Sequence, residues 1–126
     1  MKTKILLICF SFLLLSMQCD DENHSGITPE MLDNKKQEIL DYINSFSCAE
    51  ASGCNSIAFG AKPCGGPREF LVYPNTVNQA TLENLVNEYY EIDNQYNIQT
   101  GAVSDCMVVG PPRTIDCVNG VCTIID

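Results

Sequence analysis

Six cysteines in the body of the chain have the residue type and spacing to do chemistry, either as metal ligands or as disulfides. They are Cys48, Cys54, Cys64, Cys106, Cys117 and Cys122. Zinc sites usually combine closely spaced cysteine pairs or histidines, but there is no C-x2-C pair here, and the only histidine, His24, precedes the region. Small exported domains commonly use such cysteines for stability. The sequence therefore predicts three disulfides and neither a metal nor another cofactor.

Sequence alone leaves the pairing of these cysteines open, because six cysteines allow fifteen connectivities. The preferred arrangement joins Cys64 to Cys106, and joins Cys48 and Cys54 to Cys117 and Cys122 in either order. It would tie the first half of the domain to its last hairpin.

Side chains suited to catalysis are scarce. A serine or cysteine nucleophile usually needs a positioned histidine, and His24 lies in a polar segment before the domain. The sequence contains no phosphate loop, dinucleotide fingerprint or G-x-S-x-G motif. Glu88, Glu91 and Asp93 follow one predicted helix and are interpreted as its solvated face. The prediction is that the protein is not an enzyme, with a small histidine-independent hydrolase that uses a carboxylate pair as the alternative.

The segment FGAKPCGGPREFLVYP contains the best candidate for a binding loop, Lys62 to Glu69. Cys64 would anchor its middle. The predicted contact residues are Lys62, Gly65, Gly66, Pro67 and Arg68, and the two basic side chains among them are expected to be exposed. A disulfide-braced loop with exposed lysine and arginine is a feature of small protease inhibitors, which makes inhibition a second functional alternative. The competing interpretation is structural, since glycine and proline commonly reverse a chain between two strands.

The N-terminus has the features of an export signal. Lys2 and Lys4 precede an apolar run from Ile5 to Leu15, which is too short to span a bilayer but has the length of a signal-peptide core. With Cys9 in that signal, seven cysteines remain and Cys19 is the unpaired one.

The sequence LLLSMQC followed by Asp20-Asp21-Glu22 resembles the signal of a bacterial lipoprotein. The resemblance implies cleavage after residue 18 and a lipid on Cys19, so that the membrane is a partner through that lipid. It also implies a location in the bacterial cell envelope, at the outer membrane or cell surface, with the periplasmic face of the inner membrane as the alternative. Residues 19–27 would form a flexible acidic tether, and residues 28–126 the folded domain.

The charge of the chain limits its partners. The formal net charge is −9, and it becomes −11 once a signal containing two lysines and no acid is removed. A surface this acidic repels nucleic acid, so a nucleic-acid partner is not expected, whereas a protein partner remains open.

Local patterns predict two helices and several short strands. ITPEMLDNKKQEILDYINSFS begins with Thr28 as N-cap and Pro29, and TVNQATLENLVNEYYEIDNQYNI has helical spacing with a possible capping box at Thr76 and Gln79. CNSIAFG, EFLVYP, DCMVVG and TIDCVNGVCTII are interpreted as strands. Asn119-Gly120 predicts a two-residue hairpin turn that places Cys117 opposite Cys122, so that a direct bond between them is also possible.

These elements predict an α+β domain with a small antiparallel sheet, two helices packed on one face, and three disulfides. The cysteine pattern from Cys48 to Cys122, with its CGGP segment, also resembles small cysteine-rich bacterial exported proteins of uncharacterised function. That resemblance implies no activity. The functional prediction is a lipid-anchored envelope protein that acts as a binding or interaction module.

Overall fold

The computed structural model describes residues 26–125, and they form the predicted α+β domain. Its elements are helix α1 (Pro29–Asn44), a 3-10 turn (Ala51–Gly53), strands β1 (Cys54–Phe59) and β2 (Glu69–Pro74), helix α2 (Gln79–Thr100), and strands β3 (Ile115–Val118) and β4 (Val121–Ile124). The predicted signal peptide, Cys19, His24 and most of the predicted tether lie outside the described residues. Neither helix of the described part has the combination of length and hydropathy needed to cross a membrane.

Helix α1 begins where the sequence predicts. The Met31 amide donates to the Thr28 hydroxyl, and Pro29 occupies the first turn, where its missing N–H costs no hydrogen bond. Leu32, Ile39 and Ile43 are buried along one side of the helix. The buried stripe directs α1 onto the core.

The predicted capping box of α2 is wrong. Asn78 is the N-cap, because its side-chain oxygen accepts a hydrogen bond from the Thr81 amide at 3.0 Å. The Thr76 hydroxyl instead donates to the carbonyl of Ser47. Both residue types can cap a helix, and here the asparagine two residues later does so. The helix ends at Gly101, which has a left-handed backbone conformation.

Strands β1 and β2 form an antiparallel pair in which Ile57 lies opposite Leu71 and Phe59 opposite Glu69. Because side chains alternate between faces, one face carries Ile57, Phe59 and Leu71, and this face meets the two helices. The buried core comprises Leu32, Ile39, Ile43, Phe59, Leu71, Tyr73, Val77, Leu82, Val86 and Tyr89. At its centre the rings of Phe59 and Tyr89 stack with centroids 4.2 Å apart.

The predicted hairpin at Asn119-Gly120 forms, and both residues have positive φ, as a type I′ turn requires. It pairs β3 with β4 as a second two-stranded sheet, separate from β1–β2 in the described chain. The expected strand in DCMVVG is absent. Cys106 has a φ of 56°, which interrupts an extended strand, and Val108 is 94% exposed.

Three disulfides link these elements, and the expected pairing is confirmed. They are Cys48–Cys117, Cys54–Cys122 and Cys64–Cys106. Cys117 and Cys122 do lie opposite each other in the hairpin, but each bonds to a partner in the first half of the domain. The sulfur atoms of Cys48, Cys54 and Cys122 lie within 4.8 Å of one another, and all three are engaged in disulfides.

The end of the predicted tether is attached to the domain. Ile27 donates its backbone N–H to the Gln99 side chain at 2.8 Å and accepts a bond from that side chain at 2.9 Å. Ile27 also packs against the core. The chain therefore enters the fold beside the C-terminal end of α2.

Candidate binding surface

The connection between β1 and β2, residues 60–68, contains the predicted binding residues, and both of its ends are held by α2. The Ala61 amide donates to Oδ2 of Asp93 at 2.7 Å, and Nδ2 of Asn97 donates to the Ala61 carbonyl at 2.7 Å. At the other end, the Arg68 guanidinium donates to both carboxylate oxygens of Asp93, at 2.8 and 3.0 Å, and to Asn97 at 2.7 Å. Two side chains one helical turn apart thus hold the base of the 60–68 loop.

The assignment of Asp93 to a solvated helix face is wrong. Asp93 is 2% exposed, and its carboxylate compensates for burial by pairing with Arg68 and accepting from a backbone amide. The hydrogen bond that Arg68 donates to Asp93 also raises the pKa of Arg68 above its usual value. Asn97 was missed by the sequence analysis, although it follows Asp93 by four residues on the stripe that contains Val86 and Tyr89.

Gly60 lets the Arg68 side chain pass close to the backbone. It has a φ of 77°, and a Cβ added there would lie 3.1 to 3.2 Å from three carbons of Arg68. We therefore expect Gly60→Ala to destabilise the domain by about 1 to 2 kcal/mol, through backbone strain and displacement of Arg68. The measurement is urea unfolding followed by circular dichroism. Gly110→Ala is the control, because a Cβ there meets nothing within 4 Å; equal losses in the two variants would contradict the role of Gly60.

The middle of the loop is tied to the segment that precedes β3. Cys64 is bonded to Cys106, and Nζ of Lys62 donates to Asp105 at 3.2 Å and to the Met107 carbonyl at 2.8 Å. Hydrogen bonds from the Met107 amide and then from Lys62 lower the pKa of Asp105. The carboxylate that pairs with Lys62 therefore stays charged at a lower pH than an ordinary aspartate. The loop is thus fixed at its base and in its middle.

The prediction that Lys62 is exposed is wrong, since its side chain is only 14% exposed. The Arg68 side chain is 40% exposed, but its guanidinium is engaged by Asp93 and Asn97. A trypsin-like protease binds a free basic side chain in a pocket. The geometry therefore lends no support to inhibition through these two residues.

The tip of the loop projects into solvent. A Cβ added at Gly65 or at Gly66 would meet nothing within 4 Å. The tip is nevertheless ordered by its own backbone, since the Lys62 amide donates to the Gly66 carbonyl and the Gly65 amide to the Lys62 carbonyl, each at 2.9 Å. Gly65, Gly66 and Pro67 therefore form the tip of a loop whose conformation is fixed by these hydrogen bonds and by the Cys64–Cys106 disulfide.

A depression lies on each side of this tip. The first, of about 310 Å³, is lined by Gly66 and Pro67 together with Ala58 of β1 and Val86 and Tyr90 of α2. Tyr90 is 43% exposed.

The second depression, of about 170 Å³, shares Gly66 and Pro67 and is closed on the far side by Met107 and Val108. The tip is therefore a ridge between two partly apolar hollows, and aromatic and methionine side chains of this kind are common in protein interfaces.

A third depression brings together Asp33, Arg68, Tyr89, Asp93 and Tyr96. Burial raises the pKa of Tyr89, and the charge of Asp93 adds to the effect. Both oxygens of Asp93 already accept hydrogen bonds from Arg68. The one buried carboxylate of this group thus supports the loop.

In comparisons with protein-family models, curated proteins and solved structures, none matched this chain. Functional inference therefore depends on the geometry of the molecule itself.

Proposed function

We propose that the protein is a lipid-anchored binding module of the bacterial cell envelope, and that the 60–68 loop forms its contact surface. The observation that carries the binding function is the contrast within this loop. Its base and middle are fixed by Asp93, Asn97 and a disulfide, whereas its Gly65-Gly66 tip is exposed. A pre-ordered surface loses little conformational entropy when a partner binds.

Two features support the location. Three disulfides in a small domain suit an oxidising, exported environment. They account for every cysteine of the domain, so that Cys19 has no partner there. In the proposal Cys19 has a lipid, and the acidic residues after it form a short connection from the membrane to Ile27.

The first prediction of this proposal concerns attachment. We expect the wild-type protein to fractionate with membranes and to incorporate labelled fatty acid, and Cys19→Ala to lose both properties, because the thiol is the acceptor of the lipid. Cys9→Ala is the matched control and should leave attachment unchanged. Retention of Cys19→Ala in membranes would contradict lipid anchoring.

The binding function is tested separately by photo-crosslinking in intact cells. We expect a p-benzoylphenylalanine placed at Tyr90 to give one reproducible crosslinked product, because Tyr90 lines the hollow beside Pro67. The same probe at Ile98 is the control, since Ile98 is 74% exposed on the same helix and outside this hollow. No product at Tyr90, or the same products at both positions, would refute the contact surface.

A further inference from the structure

Within residues 26–125, one edge of strand β1 is not paired with another strand. The Gly53 carbonyl accepts from the Asn75 amide at 2.8 Å and the Phe59 carbonyl accepts from the Arg68 amide at 2.9 Å, so both ends of β1 direct odd-numbered residues toward β2. Backbone groups alternate along an antiparallel strand. The N–H and C=O groups of Ser56 and Ala58 therefore point away from β2.

These outward groups have no hydrogen-bond partner within residues 26–125. β1 pairs only with β2 in that part of the chain, and no side chain from another element bonds to the backbone of Ser56 or Ala58. An unpaired strand edge is a template for an additional strand, supplied by another polypeptide in extended conformation.

The free edge leads into the hollow beside the loop tip. Ala58 is exposed and lines that hollow, with Pro67 at one side and Val86 and Tyr90 of α2 at the other. A strand added to β1 would place alternate side chains against this apolar lining. The edge would supply backbone hydrogen bonds, and the hollow would select among side chains.

The charge beside the hollow indicates the kind of strand that fits. Glu83 and Glu91 are exposed and lie one helical turn before and after Asn87, which lines the hollow. Among the described cations, Lys35, Lys36, Lys62 and Arg68 are each paired with a carboxylate. An incoming segment with positive charges would be attracted, and a second copy of this acidic chain would be repelled.

We propose that the outer edge of β1 binds an extended, positively charged peptide segment of a partner protein as an added strand, with an apolar side chain of that segment against Tyr90. This inference rests on the proposed binding function, and it specifies the chemistry and conformation of the partner.

The test uses the full-length protein, purified in detergent with its disulfides intact, and a fluorescent peptide of alternating lysine and valine. We expect saturable binding that weakens as ionic strength rises. The same peptide N-methylated at every residue should not bind, because neither of its edges keeps the N–H groups that pair with a strand edge. A peptide of alternating glutamate and valine should not bind either.

Variants locate the site. Tyr90→Ala should weaken binding of the lysine–valine peptide about tenfold, whereas Ile98→Ala should not. Ser56→Pro should weaken it about fivefold, since it removes one outward N–H and leaves the bonds to β2 in place. Glu83→Gln with Glu91→Gln should reduce affinity and its salt dependence, and Glu50→Gln is the charge control.

Several outcomes would overturn the inference. Binding that survives N-methylation would indicate charge attraction without strand pairing, and Ile98→Ala acting like Tyr90→Ala would place the site elsewhere. Concentration-dependent dimerisation abolished by Ser56→Pro would assign the edge to a second copy of the chain. If the peptide fails to bind while the Tyr90 crosslink forms in cells, the partner chemistry is wrong and the binding function stands; if neither occurs, both proposals fail.

Discussion

Asp93→Ala is expected to lower the free energy of unfolding by about 3 kcal/mol, near the lower end of the range for breaking a buried ion pair. The substitution leaves the Ala61 amide without its acceptor and the Arg68 guanidinium without its carboxylate. We expect a loss at the lower end of that range because the Arg68 side chain remains partly accessible to water. Urea unfolding at neutral pH, followed by circular dichroism, provides the measurement.

Glu91→Ala is the matched control for Asp93→Ala. Glu91 is an acidic residue two positions earlier on the same helix, but it is exposed. Its replacement should change stability by less than about 0.5 kcal/mol. Similar losses in the two variants would mean that Asp93 is a surface residue after all. The loss of stability in Asp93→Asn should lie between those of Asp93→Ala and Glu91→Ala. Asparagine keeps an acceptor for the Ala61 amide but removes the charge that pairs with Arg68.

The second large effect is expected from the Cys54–Cys122 disulfide, which joins β1 to β4 across 68 residues of sequence. Replacing both cysteines by alanine should destabilise the domain by about 3 kcal/mol, because the unfolded chain gains the freedom that the crosslink removes. The gain is smaller than for an isolated crosslink of this span, since Cys48–Cys117 already closes nearly the same loop. The same urea titration measures it, with mass spectrometry to verify that the other two bonds have formed.

Val118→Ala is the control for this disulfide, since it alters an exposed residue of the same hairpin. It should cost less than about 0.5 kcal/mol. A double cysteine variant as stable as Val118→Ala would show that the hairpin is held in place without the crosslink. The expected result is weaker docking of the hairpin, which Cys48–Cys117 still ties to the first half of the domain.

The two effects act on different parts of the proposed binding surface. The disulfide fixes the C-terminal hairpin against β1, whereas Asp93 fixes the ends of the 60–68 loop. A variant of Asp93 that still folds should therefore lose the Tyr90 crosslink, since Pro67 and Tyr90 line the same hollow.

Much of the secondary structure was predictable because its signals are local. Thr28 and Pro29 identify the start of α1, and Asn119-Gly120 identifies the hairpin, through side chains and backbone preferences of neighbouring residues. The pairing of Cys64 with Cys106 was anticipated, whereas the order in which Cys48 and Cys54 find their partners was not. That order depends on how the hairpin approaches β1.

The errors have long-range causes. DCMVVG has the composition of a strand, but the left-handed backbone conformation of Cys106, which is bonded to Cys64, prevents this segment from forming an extended strand. Lys62 is basic and flanked by turn residues, which predicts exposure, but it reaches Asp105, 43 residues away. Asp93 was interpreted with Glu88 and Glu91 because sequence periodicity alone did not show that an arginine from another element would pair with it.

The sequence by itself determined the α+β class, the helices, the hairpin turn and the use of six cysteines as three disulfides. Each of these follows from neighbouring residues or from a count of residue types. Only the tertiary structure decided which carboxylate is buried, which basic side chains are engaged, and which edge of β1 is unpaired in the part of the chain that the structure describes. Those features depend on contacts such as Arg68 with Asp93, made between residues 25 positions apart, which form only when β2 and α2 pack together.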